Sequence, residues 1–126
     1  MRSFMRILTL LLLFGLVANT AAAAESKSVQ TMAGILMKLN HFPTDADKEA
    51  LKRVTDDKAA TAQEKLIATI LMNVQHKIRP EDKPKLEGLI KTPDAPASLK
   101  TLATILINLN HTASDAEKEK LEKLAS

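Results

Sequence analysis

The chain of 126 residues has no cysteine, no tryptophan and no tyrosine, and only three phenylalanines and three glycines. Without cysteine there is no disulfide framework, no thiolate metal site and no cysteine nucleophile. Two of the phenylalanines, Phe4 and Phe14, fall in the first 24 residues, so Phe42 is the only aromatic ring beyond them. Binding of nucleic acid by stacking needs several flat rings, and sugar platforms need the same, so both are disfavoured. The scarce glycine also removes the phosphate-cradling loop and the nucleophile elbow, and no paired His-Glu zinc helix is present. The sequence points away from catalysis.

Residues 1–24 read as a secretory signal. Arg2 and Arg6 form the positive start, Ile7 to Val17 the apolar stretch, and Ala22-Ala23-Ala24 a small-residue cleavage site, with cleavage after Ala24. The apolar stretch is about half of the roughly 20 residues a spanning helix requires, so no stable membrane insertion is expected after cleavage. Removing Arg2 and Arg6 from the 18 basic residues leaves 16 against 15 acidic, which gives no overall attraction to polyanions. The expected location is the periplasm or the exterior.

An internal repeat organises residues 25–126. Asn40-His41, Gln75-His76 and Asn110-His111 recur at intervals of 35, within the strings MAGILMKLNH, IATILMNVQH and LATILINLNH. Leu51, Leu86 and Leu121 share a second register position, and Lys48, Lys83 and Lys118 a third. In the last copy Leu102, Ile105, Leu106 and Leu109 fall at i, i+3, i+4 and i+7, the spacing of one helix face. Leu99, Ala103 and Ile107 widen that face, which marks a largely buried helix.

A second, more charged helix follows in each copy. Ser114-Asp115-Ala116-Glu117 and Thr61-Ala62-Gln63-Glu64 are capping boxes, Thr44 to Asp47 is a near-equivalent, and Pro80 suits a first helical position. Its narrow apolar stripe predicts that it covers the buried helix from outside. The expected fold is all-α: three tandem 35-residue αα-hairpin repeats, about 25–57, 58–93 and 94–126. These six helices would form one domain, as a short right-handed solenoid or a compact bundle. The period resembles that of tetratricopeptide and pentatricopeptide repeats in length, but the aromatic and glycine positions of the tetratricopeptide signature are absent, and no function is carried over.

Three sets of residues are candidates for function. A polar stripe opposite the apolar face holds Lys38, Thr69, Asn73, Thr104 and Asn108; lined up in a stack, these would offer an extended surface to an unidentified protein or peptide. The histidines His41, His76 and His111 would sit at helix ends, where an imidazole bonds terminal carbonyls and suits the dipole. They would form a metal site only if the hairpins closed into a ring, since equivalent positions of an open stack lie about 8–10 Å apart. Asn40, Gln75 and Asn110 would be buried amides clamping the turns. The leading expectation is an exported, non-enzymatic interaction module without a cofactor; metal binding through the histidines and self-association through uncapped ends are the alternatives.

Overall fold

The computed structural model describes residues 25–126, so the expected signal segment lies outside the described residues. Six α-helices and no strands are found among them: α1 (Lys27–Lys38), α2 (Asp45–Asp56), α3 (Ala62–Met72), α4 (Lys83–Lys91), α5 (Ala97–Ile107) and α6 (Asp115–Ala125). A 3₁₀ turn, Pro80–Asp82, leads into α4. No described helix is long and apolar enough to cross a membrane.

Local chemistry starts most of these helices. Capping boxes are formed by Thr44 with Asp47, Thr61 with Glu64 and Ser114 with Glu117, each satisfying two otherwise free backbone N–H groups. Ser26 caps α1 by accepting the Val29 N–H. Its hydroxyl also donates to Glu64 Oε2 at 2.7 Å, while Glu64 Oε1 accepts the Thr61 N–H. The buried carboxylate thus ties the first turns of α1 and α3 together.

Helices α1, α3 and α5 touch one another and bury the same face. Met32, Ile67 and Leu102 lie at the centre with Leu36, Leu71 and Leu106, all at most 1% exposed. Ala33, Ala68 and Ala103 have no exposed surface, and their small side chains let the helices approach closely. Leu51, Leu86 and Leu121 insert from the charged outer helices into this core.

Pairing differs from the expected hairpins. The extensive contacts join α2 to α3, α4 to α5 and α6 to α1, whereas α1 and α2, or α5 and α6, meet only lightly. The reason lies in the connections. Residues 57–61 and 92–96 fold back tightly, with Ala60 N–H donating to Asp57 and Ala95 N–H to Thr92. Residues 39–44, 73–79 and 108–114 instead run toward a shared point, which separates the helices they join. Because α6 lies along α1, with Gln30 Nε2 donating to the Ser126 carbonyl at 3.3 Å, the helices surround a common axis instead of forming an open stack.

Candidate metal centre

The three long connections converge at one end of this axis. Leu39, Val74 and Leu109 are buried two residues before each histidine; two residues after it, Pro43 and Ala113 are buried and Ile78 is half-buried. Each histidine is therefore the tip of a short loop anchored by apolar residues on both sides. His41, His76 and His111 have φ of 73°, 66° and 71°, the only non-glycine residues described with positive φ.

Around each tip the chain closes a three-residue turn. Phe42 N–H donates to the Asn40 carbonyl at 2.9 Å, Lys77 N–H to Gln75 at 2.7 Å and Thr112 N–H to Asn110 at 2.8 Å. An i to i+2 hydrogen bond about a residue with φ near +70° is the strained form of the γ-turn. For a residue carrying Cβ, such a conformation costs about 1–3 kcal/mol and persists only where the surroundings enforce it.

A second set of bonds does the enforcing. His41 N–H donates to the His111 carbonyl at 2.8 Å, His76 N–H to His41 at 2.6 Å and His111 N–H to His76 at 2.7 Å. The three backbones form a closed cycle in which every histidine donates once and accepts once. That cycle requires all three loops at the axis simultaneously, so it couples the turn conformation to closure of the bundle.

The imidazoles project from the cycle and meet. Ring centroids are 4.9 Å apart for His41 and His76, 5.0 Å for His41 and His111, and 4.7 Å for His76 and His111, all edge to face. One nitrogen from each ring lies within 4.8 Å of the other two. A triangle of that edge has its centre about 2.8 Å from each nitrogen, against the 2.0–2.1 Å of a zinc–imidazole bond. Rotations of side chains that are exposed (His76, His111) or half-buried (His41) can supply the difference. Asn110 Oδ1 lies 2.9 Å from His111 Nδ1; accepting a hydrogen bond from Nδ1–H there favours the tautomer that leaves Nε2 free as a ligand. No carboxylate joins the cluster among the described residues.

Other candidate residues fall elsewhere. Asn40, Gln75 and Asn110 are exposed, contrary to the buried amides expected. The helical wheel does not reach them, because α1, α3 and α5 have already ended at Lys38, Met72 and Ile107. Lys38, Thr69 and Thr104 are exposed on their helices, and Asn73 and Asn108 are exposed at the C-caps of α3 and α5. Thr69 and Thr104 donate to the carbonyls of Lys65 and Lys100, and Asn73 to that of Thr69, so three of these five side chains bond their own helix. With α1, α3 and α5 facing a shared core, these stripes diverge around the molecule instead of aligning.

Basic groups flank the histidines. An open cleft beside His76 is lined by Lys48, Lys77, Arg79, Asn73 and Gln75 with no acidic residue, and Lys77 and Arg79 also line a neighbouring recess with Lys83. Arg79 hydrogen-bonds Asp82 at 3.1 Å, which raises its guanidinium above its already high ordinary pKa. No family model, curated protein or solved structure matches this chain.

Proposed function

We propose that this protein binds one divalent late first-row transition ion, of the zinc, nickel or copper(II) type, through His41, His76 and His111. It would act outside the cytoplasm as a non-catalytic metal-binding protein. The observation that carries this reading is the convergence of three imidazole nitrogens to within 4.8 Å, each presented by a left-handed turn that glycine would adopt more easily. Imidazole suits zinc, copper and nickel. We also read the chain as a threefold repeat of 35 residues closed into a ring; the same turn at each register position supports it.

Calorimetric titration with zinc, nickel and copper at neutral pH tests the proposal. One saturable site per chain, abolished by H41A/H76A/H111A, is the expected result. Absence of saturable heat, or heat unchanged in that variant, defeats it. Partner binding through Lys38, Thr69, Asn73, Thr104 and Asn108 is the weaker reading, since three of those side chains are already bonded within their helices.

A further inference from the structure

Resting on the metal reading, we infer that the ion's remaining coordination position takes a small oxyanion, phosphate or carboxylate, seated in the basic cleft beside His76. Three imidazoles complete only three of the four or more positions these ions require, and no acidic side chain lies near enough to supply another among the described residues. A ligand from solvent would supply the next donor. His76 and His111 are exposed, so the ion would sit at the surface with an accessible side.

What lies next to that side decides the ligand's charge. The cleft that includes His76 also contains Lys48, Lys77 and Arg79, and amides from Asn73 and Gln75, without a single carboxylate. Lys48 and Lys77 are exposed and make no salt bridge among the described residues, whereas Arg79, at the edge of the cleft, is engaged by Asp82 at 3.1 Å and Glu81 at 3.8 Å. One ligand oxygen would bind the metal while another faces the ammonium groups. Neutral ligands would gain only the first interaction.

The test uses protein loaded stoichiometrically with cobalt(II), whose visible absorption reports its coordination, titrated with inorganic phosphate and separately with acetate. A saturable spectral change is expected, with calorimetry showing metal-free protein binding the anion more weakly than the loaded protein. Response to phosphate alone assigns a phosphate-type ligand, and response to acetate alone a carboxylate. K48Q and K77Q should each weaken the anion about two- to fivefold, the range for exposed charges, and leave cobalt affinity unchanged. Cobalt binding with a spectrum indifferent to both anions overturns this inference while the metal site stands, as do lysine variants that bind the anion undiminished. Failure to bind any of cobalt, zinc, nickel and copper overturns both.

Discussion

Replacing each histidine by glycine and by alanine separates backbone strain from side-chain chemistry. Both substitutions remove the imidazole, and both retain the N–H and C=O groups that form the three-membered cycle. They differ only in Cβ, which at φ of 66–73° crowds the backbone. Glycine occupies that region freely, so each glycine variant should be more stable than its alanine counterpart by about 1 kcal/mol. For a domain near 100 residues this is about 4 °C in melting temperature per site, and about 12 °C between the triple variants. Thermal unfolding followed by circular dichroism, with chelator present to exclude metal stabilisation, measures the difference. Neither triple variant should bind zinc. Glycine variants no more stable than alanine variants would refute the strained turn.

Further consequences follow from the packing. A circular permutant should fold with unchanged helicity and zinc affinity if Ser126 is joined to Ser26 through a copy of Asp57–Ala60 and the chain is opened between Pro93 and Asp94; a molten permutant would mean that α6 does not close against α1. Glu64→Ala should lower stability by about 1–3 kcal/mol in denaturant titration, because it removes the acceptor shared by Ser26 and Thr61. Ala68→Leu should cost about 1–3 kcal/mol by overpacking a position with no exposed surface. Gly34→Ala, where an added Cβ meets nothing within 4 Å, should instead raise stability by about 0.5–1 kcal/mol.

The helices and their starts could be read from short-range pattern. Leu102, Ile105 and Leu106 mark the buried face of α5, and Thr61 with Glu64 starts α3, because these interactions span three or four residues. Contact between α6 and α1 joins the two ends of the described chain, and no local periodicity encodes it. For the same reason the histidines could be singled out, but their meeting could be stated only as a condition on ring closure. Their positive-φ turns carried only a weak signal: glycine and asparagine are absent at positions 41, 76 and 111, and histidine, though enriched at positive φ, sits mostly in ordinary backbone. Asn40, Gln75 and Asn110 escape the helical wheel because α1, α3 and α5 end two or more residues before them.

In the proposed function, closure of the helices brings three imidazoles from distant parts of the chain to one ion. Zinc titration of histidine-¹⁵N-labelled protein observes this directly. The ring-nitrogen resonances of His41, His76 and His111 should shift together and stop at one equivalent, with the metal-bound nitrogen identified in each ring. Shifts confined to one or two of the three, or continuing without an endpoint, would contradict it.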